Sequence, residues 1–223
     1  MREVSDVKRT NVQGFTLVEL IVVIAIIGVL AGIMVPTLLG FVKRAHRVAD
    51  ITTAKKMYDD IEQALATNEE CYNSYVKITS GSGGREGWVA YEPATGEEYP
   101  LVEVMRIGGT TDYGKEGPYH FANTQRETAA LADALNAVFK LDVNKTAKKY
   151  IPYPTKYKKK MDGESKGTVT VNGWSICMRK DNKQLEIWAS SGALGWNNTH
   201  VVGEHTLKGQ IFYRLYPSPD EDF

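Results

Sequence analysis

The chain has few of the residues that mark common catalytic and metal-binding sites. Its 223 residues include four histidines and two cysteines. The histidines are scattered, at spacings that suit no helical zinc-binding pair: His46, His120, His200 and His205. Neither cysteine has a neighbouring histidine that would mark a nucleophile, and no phosphate-binding or dinucleotide-binding motif is present. The sequence therefore predicts a protein that is not an enzyme and that holds no metal ion or cofactor.

The chain also lacks an excess of charge of either sign. It carries 27 basic and 27 acidic residues, a formal net charge of zero, so no global attraction to nucleic acid is expected. Lysines are nevertheless concentrated between residues 140 and 167, with tyrosines between them. A candidate patch for DNA or anionic surface polymers lies there, at Lys156, Lys158, Lys159 and Lys160. A solvated loop is the simpler interpretation of such a charge run.

One long apolar run dominates the sequence. After Gly14, the 28 residues from Phe15 to Val42 contain a single charged residue, Glu19. A helix of that length can cross a bilayer. A carboxylate inside hydrocarbon is costly, so Glu19 requires a partner or a functional reason. The run predicts a helix over residues 15–42 that lies in a membrane or in the core of a filament.

Small residues and a proline interrupt the apolar run. Gly28 and Gly32 form a GxxxG pair, which permits close approach of another helix. Pro36 removes a backbone donor and crowds the preceding turn, so it favours a bend. These three positions are therefore predicted to give the helix flexibility.

The start of the run, Gly14 followed by Phe15, Thr16 and Glu19, resembles the N-terminus of type IV prepilins and the related pseudopilins. The resemblance implies that a membrane peptidase removes a leader of residues 1–14 by cleaving between Gly14 and Phe15. It also implies that the new amine of Phe15 is N-methylated. In a polymer of such chains, Glu19 would neutralise the Phe15 amine of a neighbouring subunit and so set the axial register.

The resemblance implies a structural subunit of a type IV pilus. Such a subunit is a single-pass protein of the cytoplasmic membrane before assembly and part of a cell-surface filament for adhesion, motility or DNA uptake afterwards. Its partners would be other pilin subunits, the prepilin peptidase and the inner-membrane assembly machinery. One alternative is a pseudopilin of a type II secretion or competence apparatus. Outside the family, the alternative is a single-span anchored extracellular binding protein.

Basic residues flank the apolar run in an unexpected way. The leader contains Arg2, Lys8 and Arg9. The far side carries more basic residues, namely Lys43, Arg44, Arg47, Lys55 and Lys56. The positive-inside rule would therefore favour the orientation opposite to that of the family. The motif is more specific than this statistical rule, so the orientation of the family is expected.

Residues 43–223 are predicted to form a globular head that includes the amphipathic half of a long helix. We expect one helix from Phe15 to about Tyr75, followed by a Gly-Ser linker. Its apolar positions recur at spacings of three and four, at Ile51, Ala54, Tyr58, Ile61 and Leu65. These residues should form the face that packs on the rest of the head.

The remainder of the head reads as a mixture of short elements. Residues 88–91 are predicted to form a strand and residues 100–107 a short helix. A second amphipathic helix should begin at Thr124, with Glu127 completing a capping box. Its apolar face is Leu131, Leu135, Val138 and Phe139.

Four strands are predicted near the end of the chain. They cover residues 168–171, 174–178, 185–189 and 210–216, and Asn172-Gly173 suits a two-residue hairpin turn between the first two. Such a sheet needs a cover for its apolar face, and the amphipathic half of the long helix can supply it. The predicted fold class is α+β, with a long N-terminal helix packed on a four-stranded antiparallel sheet, as in pilins.

The two cysteines, Cys71 and Cys177, are a candidate disulfide that the sequence leaves open. Their number is even, in a domain that the resemblance places outside the membrane. Many family members enclose a C-terminal loop with their disulfide, and this chain departs from that pattern. In those family members the loop has a receptor-binding role, which is therefore not expected of this chain.

Overall fold

The structure is a computed structural model of the chain. It describes residues 15–80, 85–91, 95–108, 121–123, 128–143, 153–156, 160–162, 168–170, 173–190, 200–202, 206–207, 210–220 and 223. The predicted leader with Gly14, the predicted capping box of Thr124 and Glu127, and Lys158 and Lys159 lie outside these residues. The chain divides into two compact units, Met1–Arg44 and Ala45–Phe223.

Two helices take the place of the single helix predicted to reach Tyr75. Helix α1 covers Leu17–Thr67 and α2 covers Glu69–Ser80. The boundary residue, Asn68, is the reason for the break. Its side-chain oxygen accepts a hydrogen bond from the backbone N–H of Cys71 at 2.9 Å. This is an N-cap, which satisfies a donor at the start of α2 that has no partner within the helix.

The second half of α1 has the apolar face that its periodicity predicts. Ala54, Ile61 and Leu65 are buried, and Ile51 and Tyr58 are partly buried against the same core. Met57 and Ala64 extend the buried face by the same helical spacing. The prediction of a packed amphipathic half is therefore confirmed.

The strands and the third helix follow in chain order. They are β1 (Arg85–Tyr91), β2 (Glu98–Gly108), β3 (Ala122–Asn123), α3 (Ala129–Val138), β4 (Lys160–Asp162), β5 (Thr168–Thr170), β6 (Gly173–Arg179), β7 (Leu185–Ser190), β8 (His200–Val202), β9 (Thr206–Leu207) and β10 (Gln210–Tyr216). In α3, Leu131 and Leu135 are buried as predicted. Phe139 is partly buried, and Val138 stays 38% exposed.

The main sheet has an antiparallel centre in the order β1-β2-β6-β7-β10. Short strands extend it, because β3 pairs with β2, β9 with β10, and β8 lies parallel to β1. Strands β4 and β5 form a separate two-stranded sheet. The predicted α+β fold is confirmed, and the sheet is larger than the four strands expected from the sequence.

Two predictions of local structure are wrong. Residues 100–107, predicted as a short helix, lie in β2, where they pair with both β1 and β6. Branched side chains such as Val102, Val104 and Ile107 favour that buried strand once partners exist on both sides. The hairpin expected across Asn172-Gly173 does not form, since β5 pairs with β4 while β6 pairs with β2 and β7. A strand as apolar as β6 is more stable at the sheet centre.

Both faces of the central sheet are buried. The main core takes alternate residues of the strands, including Trp174, Ile176, Ile187, Tyr213 and Leu215, together with the apolar residues of α1, α2 and α3. The intervening residues belong to a second cluster of Ala90, Tyr99, Leu101, Cys177, Trp188 and Phe212. The strands therefore lack the solvent-exposed outer face that one-sided antiparallel sheets show.

Candidate functional site

The start of α1 brings two of the motif residues together. The backbone N–H of Thr16 donates to Oε2 of Glu19 at 2.8 Å, and the Thr16 hydroxyl donates to the same oxygen at 2.7 Å. In return, the N–H of Glu19 donates to the Thr16 hydroxyl at 3.3 Å. This is a capping box, in which the first and fourth residues satisfy each other's free donors.

The capping box uses one carboxylate oxygen and leaves the charge unbalanced. Among the residues that the structure describes, no cation lies within ion-pair distance of Glu19. Its other oxygen, Oε1, accepts no hydrogen bond from them. Phe15, the residue at the predicted cleavage site, is 89% exposed. The geometry therefore leaves room for a cation beside Glu19.

The first part of α1 is apolar and exposed on all sides. Every residue from Leu17 to Val42 is exposed in the single chain. By length and composition the helix can cross a membrane, with a mean hydropathy of 2.9 over its most apolar window, none of which is buried. A soluble monomer rarely exposes such a surface, so another molecule or a lipid phase must cover it.

Gly28 and Gly32 have no steric reason to be glycine within the single chain. A Cβ added at either position would meet nothing within 4 Å. Glycine inside a helix costs roughly 0.5–1 kcal/mol relative to alanine, so the two positions carry a cost without an intrachain benefit. Close packing of a second helix would supply that benefit. Their role in helix contact or flexibility stays a prediction.

Pro36 interrupts the hydrogen bonding of α1 without ending the helix. Its ring nitrogen carries no hydrogen, so the carbonyl four residues earlier loses its usual donor. The hydroxyl of the next residue, Thr37, donates to the carbonyl of Ile33 at 3.2 Å. The exposed surface of α1 around this point is apolar and is formed by Ile33, Met34, Val35, Thr37, Leu38 and Phe41.

The candidate disulfide is not formed in the structure. Both cysteines are free and buried. Cys71 belongs to the main core, whereas Cys177 belongs to the second cluster on the other face of the sheet. Burial raises the pKa of both thiols, and the nearby carboxylates of Glu103 and Glu186 raise that of Cys177 further. Both therefore have the character of inert core thiols.

Part of the candidate anionic-ligand patch can be located. Lys156 is exposed, and its backbone N–H donates to Oδ1 of the buried Asp50 at 2.7 Å. Nearby, the Tyr153 hydroxyl donates to Asp60 at 2.8 Å. These bonds attach residues 153–156 to α1. Lys160 lies in β4, and the patch itself stays a prediction.

Sequence reasoning missed a buried charged cluster on the second face of the sheet. Arg214 contacts Oε1 of Glu186 at 3.3 Å and donates to the Tyr99 hydroxyl at 2.9 Å. The Tyr99 hydroxyl and the Trp188 indole N–H both donate to Glu186. Burial raises the pKa of Glu186 and Tyr99, and Arg214 opposes both shifts. The cluster joins β2, β7 and β10.

The Thr16–Glu19 contact was also not predicted, and of these two features it alone has a signal in the sequence. The T-x-x-E spacing of Thr16 and Glu19 is itself a capping-box signature, so that contact was available from the sequence. The pairing of Glu186 with Arg214 could not be predicted from the sequence, because the two residues are 28 positions apart and meet only through the sheet register.

Comparison with known proteins supports the assignment of the N-terminal motif and finds similarity beyond it. Residues 9–35 match the family described as the prokaryotic N-terminal methylation motif. The type IV wide pilus major component PilA4 of Thermus thermophilus is 31% identical over 113 residues, which cover 39% of this chain and 86% of that protein. The chain belongs to the type IV pilin and pseudopilin family.

Pseudopilins of this family are similar to the chain to the same degree. The type II secretion system core protein G of Escherichia coli K12 is 35% identical over 109 residues, covering 43% of this chain and 75% of that protein. The corresponding protein of Dickeya chrysanthemi is 32% identical over 120 residues, covering 47% and 78%. No solved structure matches the chain. Family membership and the exposed apolar helix together identify a precursor anchored in the membrane through α1.

Proposed function

We propose that this family member is a structural subunit of a type IV pilus that polymerises through its N-terminal helix. The observation that carries the proposal is the state of Glu19, a charged residue within a fully exposed apolar helix, one turn from the predicted cleavage site. Its carboxylate has a hydrogen-bonding partner in its own chain but no counter-charge among the described residues. A neighbouring subunit can supply that charge.

Processing would create the missing cation. Hydrolysis of the Gly14–Phe15 peptide bond consumes one water, releases residues 1–14 and leaves a free amine on Phe15. N-methylation keeps this amine basic, so it stays a cation near neutral pH. Before cleavage the nitrogen of Phe15 is an uncharged amide, and the precursor cannot form the pair. Cleavage would therefore make the chain competent for assembly.

The capping box would hold Glu19 ready for this partner. Thr16 donates twice to Oε2, which fixes the carboxylate beside the helix start while Oε1 stays open. The nitrogen of Thr16 remains an amide after cleavage, so this contact survives processing. A carboxylate that is already oriented loses less conformational entropy when it meets a neighbouring amine.

Packing of the apolar helices would provide the cohesion of the polymer. The residues from Leu17 to Val42 are all exposed in one chain, and a filament core would cover them. Gly28 and Gly32 would allow two helix backbones to approach closely. Pro36, which removes a backbone donor from the middle of α1, would let the helix adjust when it leaves the bilayer for the filament. Nothing in this function requires catalysis by the chain itself.

A pseudopilin is the second candidate, because two of the similar proteins are core proteins of type II secretion systems. Both roles use the same N-terminus, so the start of α1 does not separate them. Abundance does. Long filaments sheared from cells and composed mainly of this chain would identify a major pilin, whereas retention of the chain in the cell envelope would favour a pseudopilin.

The charge-pairing step is tested by a set of matched variants expressed in the native host. Glu19→Gln keeps an oxygen that can accept from Thr16 but removes the charge. We expect the precursor to remain stable in the membrane while surface filament falls by about tenfold or more, as for loss of one partner of a desolvated ion pair. Immunoblots of membrane and sheared fractions measure both quantities.

Two further variants separate charge from helix capping. Thr16→Val keeps the charge and the backbone contact but loses the hydroxyl, so it should lower the filament yield less than Glu19→Gln does. Glu69→Gln removes an equal charge from the exposed start of α2 and should leave the yield unchanged. A normal filament yield from Glu19→Gln would contradict the charge-pairing mechanism.

A further inference from the structure

A pair of basic residues, Lys43 and Arg44, marks the end of the apolar stretch of α1. Both follow directly after Val42, and both are exposed on a helix that continues without a break. Among the residues that the structure describes, neither has an ion-pair partner or a side-chain hydrogen bond. We refer to these two residues as the basic collar.

The surroundings of the collar along α1 contain no exposed acid. Between Glu19 and Asp59 the only acidic residue is Asp50, which is 1% exposed and accepts a hydrogen bond from the N–H of Lys156. The next ionisable residue after the collar is His46, which is exposed. Positive charge at this point of α1 is therefore not balanced along the helix.

The position of the collar places it at the edge of the bilayer. The apolar stretch of 28 residues is longer than the ~20 residues that the hydrocarbon layer requires, so the helix can tilt until charged residues bound it at each end. Lys and Arg anchor such ends at the level of the headgroups, with their aliphatic stems in the apolar layer. Lys43 and Arg44 lie only one and two residues beyond Val42, which places them at the level of the headgroups.

Processing would make the collar the main basic feature near the membrane. The leader carries Arg2, Lys8 and Arg9 on the other side of the span, and these residues are lost when residues 1–14 are removed. The collar is retained. Its location also accounts for the excess of positive charge beyond the span, which the positive-inside rule does not predict.

We propose that the basic collar binds the headgroups of anionic phospholipids on the side of the membrane that carries the head. The bound headgroups would supply the counter-charge that the described part of the chain does not offer to Lys43 and Arg44, and would hold the subunit at a defined depth before assembly. Each subunit would have to leave these lipids when it enters the filament. The inference relies on the membrane-anchored precursor and does not depend on pairing between Glu19 and Phe15.

Lipid selectivity of the full chain tests the proposal. The protein is reconstituted in phosphatidylcholine bilayers with trace spin-labelled phosphatidylglycerol or spin-labelled phosphatidylcholine, and electron spin resonance gives their relative association. We expect a preference for phosphatidylglycerol that falls in Lys43→Gln/Arg44→Gln by up to about fivefold for each charge removed. High salt should reduce the preference of the wild type.

Matched variants control for folding and for charge elsewhere. Lys43→Arg/Arg44→Lys keeps both charges and should keep the wild-type preference. Lys55→Gln/Lys56→Gln removes two charges from the same helix, twelve residues further along the sequence, and should also keep it. The leader is present in every variant, so its basic residues do not affect the differences. Circular dichroism should show equal helix content in all of them.

Three results would overturn the proposal. They are a wild-type chain without preference for phosphatidylglycerol, an unchanged preference in Lys43→Gln/Arg44→Gln, and an equal loss in Lys55→Gln/Lys56→Gln. None of them bears on filament formation. Conversely, Glu19→Gln should lower the filament yield and leave lipid selectivity intact, so failure of the proposed function and failure of this inference can be told apart.

Discussion

At the scale of single residues, the contact between Thr16 and Glu19 changes how the acid of the motif is understood. The acid is held by its own chain through a backbone N–H and a hydroxyl, and only one of its oxygens is used. A role within the helix and a role between subunits are therefore compatible. That Glu19 is an acid in an apolar helix predicts its role between subunits. Its spacing to Thr16 explains its role within the helix.

Tyr75 gives a prediction for the pH dependence of stability. Its hydroxyl donates to the carbonyl of Lys183 at 2.5 Å, which joins α2 to the turn between β6 and β7. Burial raises its pKa from 10.0 to about 12, with a smaller contribution from Glu62. Because the folded pKa lies above the unfolded one, the stability due to this group is complete below pH 10. It is lost as the pH rises through 12.

The measurement is urea unfolding of the full chain in detergent at several pH values between 9 and 12, for the wild type and Tyr75→Phe. At pH 9 the variant should be less stable by about 1 kcal/mol, the usual contribution of one hydrogen bond. The difference should shrink toward pH 12. Tyr99 and Tyr153, whose pKa values are also raised by burial, are present in both proteins and cancel. A difference that stays constant with pH would refute the assignment.

At the scale of elements, the sequence predicted helices better than strand pairing. Helical periodicity is local, so the amphipathic face of α1 could be read from the residues themselves. The partners of a strand are remote, and a short apolar run such as residues 100–107 reads equally well as a helix. The Asn-Gly dipeptide favours a turn, but it could not reveal that β6 pairs more stably with β2 and β7.

The break between α1 and α2 depends on Asn68. Replacing Asn68 with Ala should remove the side-chain cap on the N–H of Cys71 and lower the free energy of unfolding by about 1 kcal/mol. Asn68→Asp keeps a capping oxygen and adds a favourable charge at a helix start, so it should be neutral or slightly stabilising. Thermal unfolding of the two variants measures the effect. Equal stability of Asn68→Ala and the wild type would show that the cap is unimportant.

The buried cluster across β2, β7 and β10 makes a stronger prediction. Arg214 is 3% exposed and Glu186 is fully buried. Arg214→Met should therefore cost about 3–5 kcal/mol, because it leaves a buried carboxylate without its cation. The double variant Arg214→Met/Glu186→Gln should recover part of this loss, since glutamine can still accept from Tyr99 and Trp188.

The pH dependence of Arg214→Met checks the same cause. Without the cation, only the hydrogen bonds from Tyr99 and Trp188 oppose the effect of burial on Glu186, so its folded pKa rises further above the unfolded value. The variant should then be more stable near pH 5 than at pH 8, because protonation removes the buried charge. Urea unfolding at the two pH values gives the comparison. An equal loss in the single and double variants at both values would contradict the account.

At the scale of the whole molecule, the features that define the family are local in sequence and could be predicted from it. The apolar run, the spacing of Gly14, Phe15 and Glu19, and the amphipathic continuation of the helix are each contained within a few turns. The extent of the sheet, its two buried faces and the separate positions of Cys71 and Cys177 depend on contacts between distant residues. Those features required the structure.

The central claim is that processing creates a cation that pairs with Glu19, and the N-terminus of the surface protein tests it most directly. Filaments are sheared from cells, the chain is purified, and tandem mass spectrometry is used to sequence its N-terminal peptide. We predict a peptide that begins at Phe15 and carries one methyl group on its amine. A surface protein that still begins at Met1 would contradict the claim and would leave a tethered domain in place of a filament subunit.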